Sequence, residues 1–184
     1  MTAQNIKSRT ITNLDASPIV YDSAGYNIAA REVTASDYCT LTTGGEGDAT
    51  STYNILRLRS NVKLTSMKIF SSAVLDSNNS PTLTFDVGAT YSDSTTDGTQ
   101  ASLQGTVIAV NSFAADVVTP TVAKLPGVTE ILAYAPANMD EMLWEFLGLA
   151  SDPGGYIDVV INVDGTAATA VAGDLGLIVR YSEG

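Results

Sequence analysis

Apolar and polar residues alternate with a period of two along much of this chain. Leu83, Phe85, Val87 and Ala89 alternate with Thr82, Thr84, Asp86 and Gly88. Ile157, Val159, Ile161 and Val163 alternate with Asp158, Val160 and Asn162, and Leu175, Leu177, Val179 and Tyr181 with Gly176, Ile178 and Arg180. Successive side chains of a strand point to opposite faces, so the first two runs predict strands with one face in a core and one towards solvent. Glu32 to Leu41, rich in Val, Thr and Tyr, reads as a further strand that Gly44-Gly45-Glu46-Gly47 breaks. Thr52 to Phe70 divides into two strands at Ser60-Asn61. In the second, the apolar positions shift phase from Val62 and Leu64 to Met67 and Ile69, the signature of a β-bulge. Asp164-Gly165 and the loop through Gly173 predict that the last two strands return as a hairpin-like pair.

One segment carries a helical period instead. Met139, Met142, Leu143, Phe146 and Leu147 form a single apolar stripe, which predicts a helix from Met139 to about Leu147. Asn138 is placed to N-cap it, with Glu141 three residues on, and Gly148 to close it before the turn Asp152-Pro153-Gly154-Gly155. Trp144 borders the stripe, where it either completes the core or anchors a subunit contact. Residues 1–20 show neither period: Ile6, Ile11, Leu14, Pro18 and Ile19 are scattered among polar side chains. They read as an extended N-terminal arm whose apolar residues lie on a neighbouring surface, followed by one β-sandwich domain over residues 21–184. The expected fold is therefore all-β, a jelly-roll-like β-sandwich with one short helix.

Charge narrows the partners. The net charge is −11, with 9 basic residues against 20 acidic ones, which excludes a phosphate backbone as the partner. Residues 1–68 carry a net +1 and residues 69–184 a net −12, so the local basic set Arg57, Arg59, Lys63 and Lys68 marks either a docking face or an ordinary solvated surface. No apolar run approaches a membrane span, and Met1 to Leu14 lacks the apolar centre of a secretory signal. Cys39 alone permits no intrachain disulfide. The Thr/Ser-rich composition of an extracellular β protein thus meets the features of one made in the cytoplasm. A virion component released by lysis fits both.

Catalytic chemistry finds little material. The chain has no histidine, which removes Ser-His-Asp and Cys-His pairs and imidazole-based zinc sites. Cys39 reads as a small buried hydrophobe. Glu141 and Glu145 are a carboxylate pair that a solvated helix face explains. Asp93-Ser94-Thr95-Thr96-Asp97-Gly98 has the look of a calcium loop, but its twelfth position is Gln104 rather than Glu, which leaves a solvated loop or an adventitious cation. The expectation is a protein that is not an enzyme and uses no cofactor, metal or small-molecule substrate. Carbohydrate recognition has thin support, with aromatics at 7% and several of them in core phase.

The run Met142-Leu143-Trp144-Glu145-Phe146-Leu147-Gly148-Leu149-Ala150-Ser151-Asp152-Pro153-Gly154-Gly155-Tyr156 resembles a stretch of the head decoration, or cement, proteins of tailed bacteriophages. Ile6-Lys7-Ser8, Thr12 to Pro18, Arg57 to Lys63 and Leu177 to Tyr181 are similar to the same family, and nothing between about Thr90 and Glu130 is. The resemblance implies a jelly-roll-like subunit on the capsid exterior, bound to the major capsid protein and to copies of itself, often as a homotrimer. A tail, neck or fibre subunit is the neighbouring alternative. The expected contact residues are Ile6, Lys7, Arg9, Ile11, Leu14, Arg57, Arg59, Lys63 and Trp144.

Overall fold

The computed structural model describes residues 5–8, 11–12, 15–16, 32–45, 48–118, 129–132 and 140–183. These form two sheets. The first has the order β1 (Asn5–Lys7), β3 (Thr52–Arg59), β8 (Tyr156–Gly165), β5 (Thr84–Tyr91) and β6 (Val107–Val118). The second has the order β2 (Glu32–Leu41), β9 (Gly173–Glu183), β4 (Val62–Ser71) and β7 (Thr129–Glu130). All neighbours are antiparallel except β1, which runs parallel to β3. The inward rows face one another: Leu175, Leu177 and Val179 of β9 and Met67 and Ile69 of β4 lie with Tyr53, Phe85, Val87, Ile157 and Ile161 of the first sheet in one apolar core. The fold is an all-β, two-sheet sandwich.

Several strands lie where the alternation puts them. β2 spans Glu32 to Leu41, β3 and β4 part at Ser60-Asn61, and the register of β4 against β9 slips between Leu64 and Ser66, at the predicted phase change. The last two strands do not pair. β8 lies between β3 and β5, whereas β9 lies between β2 and β4 in the other sheet, so their connection crosses the sandwich. Asp76 ties that crossing down. Its carboxylate accepts the backbone N–H groups of Asn78, Thr82 and Leu83 on one side and of Ala168 and Thr169 on the other, at 2.9 to 3.3 Å.

The helix α1 is shorter than its stripe predicts, Leu143–Phe146, with Met142 as its N-cap; Asn138 and Met139 lie outside the described residues. Glu145, not Glu141, reaches back to the Met142 N–H, at 2.8 Å. Gly148 closes α1 at φ +71°, a conformation that only a residue without Cβ adopts freely. Leu143 is fully buried, and Phe146 stacks on Phe113 of β6 at 5.6 Å between ring centroids. The Ser-Asp-Pro-Gly-Gly turn is structural: Asp152 accepts the Ser60 hydroxyl at 2.6 Å, Ser60 N–H donates to Gly155 O, and Trp144 N–H donates to Ser60 O.

β6 went unread because it does not alternate. Its register against β5 jumps from Val87↔Ala114 to Ala89↔Ala109, so the intervening residues arch over the sheet. The arch lies on Gly88, where a Cβ would stand 2.2 Å from Ala109 O, and Asn162 Nδ2 donates to Val110 O at 2.9 Å. That cover explains why Val160, on the outward side of β8, is buried.

Candidate functional site

The outward face of the first sheet also holds the densest group of charges among the described residues. The bulge between Asn54 and Leu56 turns Arg57 outward in β3, opposite Asp158 in β8. The guanidinium then forks onto that carboxylate, Nε to Oδ1 at 2.7 Å and Nη2 to Oδ2 at 2.9 Å. The Arg57 side chain is 1% exposed and that of Asp158 3%. A pair out of water holds only with further partners. Arg57 also bonds Asp15 and reaches Asp93 at 3.3 Å, with Asp97 at 3.8 Å, while Lys7 binds Asp15 at 2.7 Å and also Asp93.

Six charged groups from β1, the following turn, β3, β8 and the loop 92–99 thus share one site, with two more negative than positive charges. Burial disfavours the Arg57 cation, but the hydrogen bonds and charges of Asp158 and Asp15 outweigh it and raise the guanidinium above its ordinary value. Burial pushes the Asp158 carboxyl upward, and Arg57 opposes that shift. Asp15 falls below the usual carboxylate range, because Lys7 and Arg57 overcome its partial burial. Lys7 rises because Asp15 and Asp93 overcome its own. The shifts of Lys7, Asp15 and Arg57 follow from their ion-pair partners, and that of Asp158 from its burial.

The cluster corrects one expectation: Arg57, expected as a contact residue, is enclosed by the chain's own carboxylates. The acidic loop turns Asp93 and Asp97 toward Arg57, and Asp93 also toward Lys7. The described part of the N-terminal segment likewise lies on its own domain. Ile6 pairs with Tyr53 in register, Ser8 N–H donates to Asn54 O at 2.8 Å, Ser8 Oγ donates to Ile55 O at 2.6 Å, and Ile11 is 0% exposed. Parallel addition to a sheet edge uses backbone groups and leaves almost no sequence pattern, so the alternation could not show it. Arg9 and Leu14 lie outside the described residues.

The remaining expected contacts gather near the β3–β4 turn. Arg59 is exposed, with its guanidinium carbon 5.7 Å from the Tyr156 ring centroid, and Trp144 is half-buried beside Ser60. Arg59 lines an open polar cleft of about 320 Å³ together with Asn61, Asp97, Asp152 and Tyr156. Lys63 is half-buried on the outer side of β4. Cys39 is buried, and burial, with the charge of Asp37, pushes its thiol up to about 12, which removes the thiolate that chemistry would need. A further acidic trio was not foreseen. Asp86, Asp116 and Asp164 bring carboxylate oxygens within 4.8 Å of one another at the sheet margin, and Asp164 and Asp86 raise the Asp116 carboxyl.

The sequence matches no protein-family model and no curated protein. Among solved structures, the chain is similar to one in the capsid of Ralstonia phage GP4, with a TM-score of 0.66 and 17% identity over 98% of this chain and 99% of that one. It is also similar to a chain of the capsid asymmetric unit of cyanophage Pam1, with a TM-score of 0.47 and 18% identity over 92% and 96% of the two chains. The GP4 likeness fixes the architecture: from one end to the other, this two-sheet sandwich has the fold of a chain in that phage capsid.

Proposed function

We propose that this chain is a non-enzymatic structural component of a tailed-phage capsid, seated outside the shell as a cement subunit on the major capsid protein. The observation that supports this reading is the fold shared over nearly the whole of both chains with the GP4 capsid chain. The sequence resemblance to decoration proteins adds the exterior position. A sandwich whose charged groups are spent on its own packing is suited to mechanical work. It adds contacts across subunit boundaries, and many copies on one shell supply avidity that no single contact has.

The contacts assigned to the shell shift with the structure. The described part of the N-terminal segment holds its own domain, so the shell-facing candidates are Arg59 and Trp144 at the β3–β4 turn, with Lys63 nearby. Cryo-electron microscopy of the native particle tests the reading. Density for this chain on the outer capsid surface is the expected result. Density in the tail or neck, or a particle lacking the chain, refutes it.

A further inference from the structure

A guanidinium carries its N–H groups in a fixed fork, so its partners can be assigned edge by edge. Nε and Nη2 of Arg57 donate to Asp158, Nη2 also reaches Asp93, and Nη1 donates to Asp15. Asp97 is left over. Its Oδ1 accepts the Thr99 N–H at 3.0 Å, but Oδ2, buried and 3.8 Å from Arg57 Nη1, accepts no hydrogen bond among the described residues. A carboxylate oxygen shut away from water without a donor is costly, and folded proteins keep few of them. A second arrangement, in which this oxygen is satisfied, accounts for its place.

The six charges of the cluster fall into two layers. The side chains of Arg57, Asp158 and Asp97 are 1, 3 and 9% exposed, whereas those of Asp15, Lys7 and Asp93 are 21, 32 and 43% exposed. Lys7 and Asp15 both belong to the N-terminal strap, β1 and the turn after it, and they carry opposite charges. When they leave together, the net charge of the site is unchanged. Arg57 Nη1 then has only to pass from Asp15 to Asp97 Oδ2, closing 3.8 Å to hydrogen-bond length. Among the described residues, the strap is otherwise held chiefly by three residues of parallel pairing, the Asn5 and Ser8 bonds to β3, and the burial of Ile11.

We infer that the N-terminal strap is a fastening that opens while the sandwich stays folded, with Asp97 taking over Arg57 as Asp15 withdraws. Opening bares the β3 edge at Thr52, Tyr53 and Asn54 and lifts Ile11 from its cover. The inner group Arg57–Asp158–Asp97 stays closed, so the lost contacts are those of the strap alone. Openings of this local kind draw on less free energy than global unfolding.

Native-state amide exchange of the full chain, followed by NMR at rising sub-denaturing urea, tests the fastening independently of any shell. Ser8, whose N–H donates to Asn54 O, is expected to exchange at least ~100-fold faster than the amides of β8, through an opening that urea hardly promotes because little surface is bared. Asp15→Asn should speed Ser8 exchange about tenfold and leave β8 unchanged. Asp97→Asn, which keeps an acceptor for Thr99, should slow Ser8 relative to β8 about tenfold, because the open state alone loses its charge-assisted bond. An Asp97 that only supports the fold gives the opposite sign, faster exchange at both places. Ser8 exchanging in step with β8 and with the same urea dependence, or not slowed relative to β8 by Asp97→Asn, overturns the inference.

Discussion

Replacing Arg57 by Met is the sharpest test of the charge cluster. The substitution keeps most of the side-chain length but removes the only cation that, among the described residues, contacts Asp158, whose side chain is 3% exposed. Among the described residues, Lys7 is then left to pair with Asp15 and Asp93, and Asp97 and Asp158 lose their cation. Breaking a buried pair from one side costs about 3–5 kcal/mol. A ceiling comes from chemistry: rather than stay charged, Asp158 takes a proton, and protonating an ordinary carboxyl of pKa ~3.9 at pH 7 costs about 4 kcal/mol. The loss at pH 7 is therefore about 3–4 kcal/mol, near 10 °C in Tm at ~2–4 °C per kcal/mol for a chain of this size. Because the cost is a proton's, the gap to the unaltered protein should narrow by ~1.4 kcal/mol per pH unit as the solution is acidified towards pH 4. Urea titrations followed by circular dichroism at pH 7 and pH 5 measure both. Arg57→Met combined with Asp158→Leu should recover much of the loss, since an apolar pair of similar volume needs no ions. A single-variant loss below about 1 kcal/mol, or one that does not change with pH, refutes the account of Arg57 as the buried counter-ion.

Further outcomes follow from other parts of the sandwich. Backbone N–H donors overcome the desolvation of Asp76 and hold its carboxyl down, to about 2. Its contribution is complete above the unfolded value near 3.8 and is lost as pH falls from there to about 2. Asp76→Asn should remove that acid-side loss from thermal melts taken between pH 5 and pH 2 and lower stability at pH 7 by about 1–3 kcal/mol, because an amide cannot accept at every position. Cys39 should resist a thiol reagent in the folded chain at pH 8 and react fully in denaturant; rapid labelling without denaturant would contradict its burial. Gly88→Ala places a methyl in the backbone of the β6 arch and should cost about 1–3 kcal/mol, with hydrogen exchange rising first across Val107–Val118.

What the sequence discloses depends on whether a position answers to a local rule. β2, the division at Ser60-Asn61, the Leu64–Ser66 bulge and the strands after Tyr156 all show alternation, because each has one face against the core. β6 does not, because its middle arches over Gly88 rather than lying flat in the ladder. The pairing of β8 and β9 was misread because a turn signal reports only that the chain reverses, not into which sheet. The Arg57 site was half legible. Arg57 stood out as a charge in a strand, but its enclosure needs Asp158, Asp15 and Asp93, and their distance in sequence, 101 residues for Asp158, carries no pattern.

Each sheet is centred on a strand translated after all its neighbours. β8 joins β3 to β5, and β9 joins β2 to β4. Until both have left the ribosome, β1–β3, β5–β6 and β4–β7 can pair, but each sheet lacks its middle and no half-sandwich can be completed on the way. Assembly must therefore wait for the whole run through Glu183, and with so many distant pairings it should be slow, on the order of milliseconds to seconds. A nascent chain halted before Tyr156 would bare strand margins and invite clumping. That places the hazard in synthesis rather than in the finished fold.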